Sequence, residues 1–190
     1  MSTIVDNADG LGKRVRDERA RRAWSLSRLA EASGVSRAMI SKVERGQSSP
    51  TAAVLGRLAA AFDLSVSALL ERAEDAGAHP VRRADAVPAW SDPETRYLRR
   101  QISTPSFPAD VTDVVLPAGQ RVPYPAAAYA FHAQLVWVLD GELTLTDGAD
   151  VHVLTAGDVF ELGVPAAREF ANPSDADCRY VVVVSRRETP

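Results

Sequence analysis

The side chains best equipped for chemistry in this 190-residue chain are cations and hydroxyls, and they gather in one stretch, SLSRLAEASGVSRAMISKVERG at 25–46. Two runs of about eight residues flank Gly-Val-Ser, a spacing that predicts two short helices joined by a tight turn. Ala30 is small where those helices must cross, and Val35, Ile40 and Val43 turn one apolar stripe of the second helix into a core. Arg37, Ala38, Ser41, Lys42 and Arg45 are thereby left on the outward side. A Ser36 cap and the positive end of the helix dipole favour an approaching phosphate, while Arg37 and Lys42 can reach base edges. The chemistry is recognition of a polyanion.

Charge is distributed accordingly. The net charge of −3 divides into +4 over residues 1–72 (12 Lys and Arg, 8 Asp and Glu) and −7 over 73–190 (10 and 17). Within 11–50 the balance is 10 basic to 4 acidic residues, a net +6. A basic unit joined to an acidic remainder suggests that only the first half faces a polyanion. The arginines of the first helix (Arg14, Arg16, Arg19, Arg21, Arg22) read mostly as a solvated face, and Glu44 as a structural partner. A single cysteine, Cys178, excludes a disulfide framework and any multi-cysteine metal site, and is expected to pack as a small hydrophobe. With 46% apolar and 25% charged residues the composition is that of a folded globular protein. No apolar run approaches the ~20 residues of a membrane helix, and the first residues carry no apolar signal segment. A cytoplasmic location with no membrane partner is the expectation.

The elements that must position these groups fall into two halves. Helical spacing, hydroxyl caps (Ser25, Ser36, Thr51, Ser65) and closing glycines (Gly34, Gly46) predict five helices near 10–23, 26–33, 37–45, 51–62 and 66–72. Residues 73–94 lose that period, contain three prolines and read as a linker in which Trp90 packs in part. From 95 the pattern becomes period two, in runs such as VTDVVLP, AFHAQLVWVLD, ELTLTD, VHVLT, DVFELG and RYVVVVS. Seven to nine short strands with turns at Asp140-Gly141 and Asp147-Gly148 predict an antiparallel sandwich or closed barrel. His152 reads as a surface strand residue, Trp137 as core or a dimer contact, and His79 as a linker residue.

Residues 11–71, from LGKRVRDERA through GVSRAMISKVERG to LSVSALLE, resemble the five-helix helix-turn-helix domain of phage repressors and the XRE family of bacterial regulators. The resemblance implies base reading by Arg37, Ala38, Ser41 and Lys42, with Ser25, Arg45 and Gln47 near phosphates and Ser36 at the helix start. Two positions depart from the family pattern. Glu18 stands in place of a usual leucine, and Ala23 in place of the usual helix-ending glycine; each is expected to loosen helix one by about 1 kcal/mol.

The second half resembles a cupin, a double-stranded β-helix barrel, over roughly 95–186, through PAG at 117–119, VWVLDGELTL at 136–145, Gly157-Asp158 and the segment ending at Asn172. The expected fold is therefore two-domain, α then all-β: a repressor-like unit at 10–72, a linker at 73–94 and a barrel at 95–186. The family's metal motif is broken. Seven residues before Gly141 stands Gln134 in place of glutamate, and eleven after Gly157 stands Arg168 in place of histidine. PAAAYA occupies the place of the paired histidines, with only His132 nearby. Amide and guanidinium are poor or impossible metal ligands, so neither metal nor cofactor is expected. An inward Arg168 calls for an anion, either a small anionic metabolite oriented by Gln134, His132 and Tyr129, or an internal carboxylate such as Glu161 or Glu169.

The expectation is a homodimeric transcriptional regulator that binds operator DNA and senses a small molecule in a metal-free barrel, without enzymatic activity. Two alternatives stand beside it. One is a cupin metalloenzyme of dioxygenase or epoxidase type with an accessory helix-turn-helix. The other is an antitoxin-like autorepressor.

Overall fold

In the computed structural model the described residues are 8–70, 81–83, 87, 89–104, 107–130 and 132–186. Five helices come first: α1 (Ala8–Arg21), α2 (Leu26–Ser33), α3 (Arg37–Glu44), α4 (Ala52–Ala61) and α5 (Val66–Leu70). Ser25, Ser36 and Thr51 each accept the backbone N–H three residues on, so α2, α3 and α4 start at hydroxyl caps. Gly34 ends α2 with φ of 65°, a left-handed conformation that costs glycine little. Leu11, Val15, Leu29, Val35, Ile40, Val43, Leu55, Leu58 and Leu69 are all buried and form one core beneath the turn.

Both departures in helix one have structural consequences. Glu18 is only 3% exposed, yet it receives Arg14 at 3.1 Å, Arg21 at 2.8 Å and Arg22 at 2.8 Å. Arg22 also donates to the Phe62 carbonyl, and Arg19 makes a two-pronged pair with Glu44 at 2.7 and 2.8 Å. The arginines of α1 are thus in large part structural, tying this helix to α3 and to the end of α4. Where a leucine would rest on apolar neighbours, a carboxylate is held by a ring of guanidinium groups.

Ala23 adopts φ of 52°, the left-handed region in which a Cβ meets the following carbonyl. Ala23→Gly should relieve about 1–2 kcal/mol of strain and give back part of it to the unfolded chain. The expected outcome of thermal unfolding is a Tm higher by about 2 °C.

Ten strands follow among the described residues, arranged in two antiparallel sheets. β1 (Ala89–Ser91), β2 (Leu98–Gln101), β3 (Asp110–Leu116), β5 (His132–Asp140), β8 (Val159–Leu162) and β10 (Cys178–Arg186) form the larger, in the order β1-β2-β3-β10-β5-β8. The smaller contains β4 (Arg121–Tyr124), β6 (Glu142–Asp147), β7 (Asp150–Thr155) and β9 (Arg168–Ala171), in the order β4-β9-β6-β7. A 3-10 turn, Ala126–Tyr129, leads into β5. The inner faces meet through Val114, Leu116, Val136 and Tyr180 on one side and Val122, Leu143, Leu145 and Phe170 on the other. The Phe170 and Tyr180 rings stack across the sandwich at 5.9 Å. Buried Asn172 holds a loop by donating to the carbonyls of Leu116 and Ala176.

The stretch read as linker contributes to this sandwich. Trp90 is buried on β1, which pairs with β2, so among the described residues the barrel strands begin at Ala89. The three-residue length of β1 and Pro88 and Pro93 around it hid its period. His152 is also not a surface residue: it faces inward opposite Leu145, with its ring 4.7 Å from Phe160. Cys178 is fully buried, and burial, aided by Asp140 and Glu142, pushes its thiol up to about 11. His79 lies outside the described residues.

The two halves share an interface built from α4 and α5. Asp92, just after β1, accepts the N–H of Ala52 at 2.5 Å, so a barrel residue helps cap a helix of the first half. The Tyr124 ring lies so close to Gly56 of α4 that an added Cβ would sit 2.5 Å from it. Ser65 donates to Asp110, and the hydroxyls of Ser67 and Thr112 meet at 2.7 Å.

Candidate nucleic-acid interface and barrel cavity

The outward side of α3 is the first site. Ile40 and Val43 are fully buried, which fixes the rotation of the helix and leaves Arg37, Ala38 and Lys42 exposed and Ser41 partly so. No acidic group within ion-pair distance of Arg37 or Lys42 occurs among the described residues, so both cations are available to a ligand. Ser25 and Ser36 are exposed at the starts of α2 and α3, each bound to its own helix. Arg45 follows α3 and donates to Gln47 at 2.9 Å, which brings these two residues together at the far end. Exposed donors thus border α3 at both ends with long cations between them, a form suited to a DNA groove and its two phosphate walls. The Arg19–Glu44 pair holds α3 in place from behind, and hydrogen bonding to Glu44 raises the Arg19 guanidinium further above its usual value.

The second site is a cavity of about 40 Å³ inside the barrel, beneath α5. Gln134 lines it, as the inward pattern of β5 requires, and so does Tyr129 from the 3-10 turn that precedes that strand. Arg168 does not. It is 2% exposed, but its Nε lies 2.9 Å from the Asp147 carboxylate directly across the β9–β6 pair, and Nη2 donates to the Val164 carbonyl. Its guanidinium carbon sits 4.4 Å from the Tyr129 ring centre, behind the cavity wall. The anion that Arg168 demands is therefore internal, and it is neither Glu161 nor Glu169: Glu161 is exposed, and Glu169 faces exposed Arg121 at 3.8 Å. The register explains the difference, because Asp147 stands opposite Arg168 on the neighbouring strand. His132 starts β5, but its side chain lies outside the described residues.

The cation that does line the cavity is Arg99 of β2. It donates to the Tyr97 hydroxyl at 2.9 Å and to Ser67 of α5 at 3.2 Å, while its buried Nε has no partner. No carboxylate lies within ion-pair distance of it among the described residues. Burial opposes its charge, whereas Tyr97, Tyr124 and Tyr180 oxygens favour it, and the balance lies above the ordinary arginine value. Tyr124 and Tyr180 are held far above the usual phenol range, chiefly by burial, so each remains a neutral hydroxyl. The Tyr180 hydroxyl is buried without a hydrogen-bond partner. Sequence reading passed over Arg99 and its tyrosines, though the period-two placement of Tyr97 and Arg99 on one face was the available signal.

The donor set does not fit the metal of the cupin pattern. Gln134 offers only an amide oxygen, Arg168 is engaged by Asp147, and the cavity's charged member is a cation.

Comparison with known proteins bears on both sites. The helix-turn-helix family HTH_3 matches residues 15–69, and the cupin domain family Cupin_2 matches residues 113–184. The HTH-type transcriptional regulator SutR of Escherichia coli is 37% identical over 92 residues, 48% of this chain and 44% of its own length. The chain thus spans under half of SutR. The HTH-type transcriptional regulator PuuR of Escherichia coli is 26% identical over 176 residues, 90% of this chain and 91% of its own. A crystal structure of an HTH_3 family transcriptional regulator from Vibrio cholerae shares the fold with a TM-score of 0.77 at 21% identity, covering 97% of this chain and all of that one. The chain thus carries an XRE-type helix-turn-helix domain followed by a cupin domain, and the relatives it resembles are HTH-type transcriptional regulators.

Proposed function

We propose that the protein is a sequence-specific operator-binding regulator that reads DNA with α3 and senses a small molecule in its barrel. The observation that carries the reading is the exposed, unpaired pair Arg37 and Lys42 on a helix whose other face is locked into the core. Ala38 and Ser41 complete the base-reading set, with Ser25, Ser36, Arg45 and Gln47 holding the phosphates. It acts by binding rather than turnover, because the positions that would hold a catalytic metal carry Gln134 and an occupied Arg168. Reading a bacterial operator places its work in the cytoplasm.

A homodimer belongs to this reading. One recognition helix covers about four base pairs, so useful specificity calls for two half-sites about 34 Å apart. On the outer face of the larger sheet, Val181, Trp137 and Val159 stand side by side, with Trp137 46% and Val159 54% exposed. Such an apolar stripe suits a second copy of this chain.

The test is selection of duplexes from a random library, followed by binding of the selected duplex at fixed salt. Selected sequences should be palindromic with half-sites one helical turn apart. Arg37→Ala should weaken the selected duplex by about 1–3 kcal/mol, relax preference at one base pair, and leave the unfolding midpoint unchanged. Undiminished affinity in that variant overturns the assigned reading surface.

A further inference from the structure

The barrel half contains a buried cation whose countercharge is absent among the described residues. Arg168 has Asp147, Arg179 has Asp113, and Arg19 has Glu44, but Arg99 has only neutral hydroxyls. An uncompensated buried guanidinium is costly, and it is tolerated where a ligand supplies the missing charge. Beside it stands a second unsatisfied donor, the Tyr180 hydroxyl, and both line the same cavity. Much of the remaining wall is apolar, through Leu64, Val66, Val182, Val184 and Phe170, with the Gln134 amide and the Ser65 and Ser67 hydroxyls among its polar members.

We propose that this cavity binds a short aliphatic monocarboxylate, its carboxylate received by Arg99 and Tyr180 and its alkyl part by the apolar wall, and that α5 reads its presence through Ser67. One guanidinium among neutral phenols balances one negative charge, so a dianion such as phosphate would leave net charge buried. The size follows from the volume: 40 Å³ is the room of about three waters, which suits a ligand of acetate or propionate size. The coupling follows from the lining. Leu64, Ser65, Val66 and Ser67 belong to the DNA-reading half, and Ser67 bonds Arg99 and Thr112 together. A ligand that touches both halves binds their joined arrangement better than a separated one, which is the condition for a population shift. This inference rests on the sensing role proposed above and names its ligand class.

The experiment titrates the full chain with formate, acetate, propionate and butyrate, with chloride and inorganic phosphate as controls at matched ionic strength, by calorimetry and by thermal shift. DNA affinity is then measured on the selected duplex with and without the best carboxylate. The expected result is saturable binding of at least one carboxylate, lost at least tenfold in Arg99→Met and weakened about fivefold in Tyr180→Phe, which removes one hydroxyl and leaves the ring. Duplex affinity should change at least threefold on addition of the carboxylate, and not in Ser67→Ala. No carboxylate binding, or equal binding in Tyr180→Phe and Arg99→Met, overturns the site. If a neutral compound or amine shifts duplex affinity while carboxylates do not bind, the sensing role survives and the anion site falls. Carboxylate binding that leaves duplex affinity unmoved removes the coupling through Ser67 and the sensing role with it.

Discussion

Asp147→Ala is expected to destabilise the barrel by about 3 kcal/mol, read as a fall in the urea midpoint, because it strands the Arg168 charge in the interior. The Arg168 side chain has no exposure, and its remaining contacts are one carbonyl, Val164, and the Tyr129 ring. Neither supplies a negative charge. Arg121→Ala is the contrast: Arg121 meets Glu169 at 3.8 Å with its own side chain 72% exposed, and its loss should cost under about 0.5 kcal/mol. Removing both members, in Asp147→Ala with Arg168→Leu, should recover most of the lost stability, since a buried ion pair can be replaced by apolar groups at little cost. A double variant as unstable as Asp147→Ala alone would mean that Arg168 contributes through something other than this pair.

Gly12→Ala should destabilise the DNA-reading half by about 2 kcal/mol, against the intuition that alanine improves a helix. Gly12 lies within α1, where the propensity difference favours alanine by about 1 kcal/mol. Packing opposes it more strongly. A Cβ there would stand 2.3 Å from the Val43 carbonyl oxygen and 3.3 Å from the Glu44 backbone. Those atoms are the last turn of α3, not the tip of a side chain that can swing away, so the helices must separate. Since α3 is the reading helix and Arg19–Glu44 spans the same contact, affinity for the selected duplex should fall with stability. Unchanged stability would show that α1 can slide past α3 without loss.

What could be read in the chain without coordinates followed the strength of local periodicity. Caps and apolar spacing placed the five helices to within about two residues at their described ends, because Ser25, Ser36 and Thr51 are local devices. Long β-branched runs, such as Cys178–Arg186, were equally legible. The short ones, Ala89–Ser91 and Leu98–Gln101, were not, and with them went Arg99. Arg168 was recognised as inward from motif spacing, but its partner depends on register across two strands, which no single strand encodes. Glu18 looked like a defect because its compensation comes from Arg14, Arg21 and Arg22, a group of cations whose pattern alone reads as a solvated face.

Asp92 has a consequence for how the molecule comes apart. Its Oδ1 organises the barrel's own turn by accepting from Glu94 and Thr95, while Oδ2 completes the start of α4. One carboxylate thereby belongs to two cores, and Ser67 and Tyr124 are shared in the same way. The division between the halves along the chain is therefore not a division in cooperativity. Damage in the barrel should lower the melting point of the reading helix as well, and an excised first half inherits an α4 deprived of its Asp92 contact and a Leu64 and Val66 that have lost the barrel side of their cavity. The two modules are expected to unfold in one calorimetric transition.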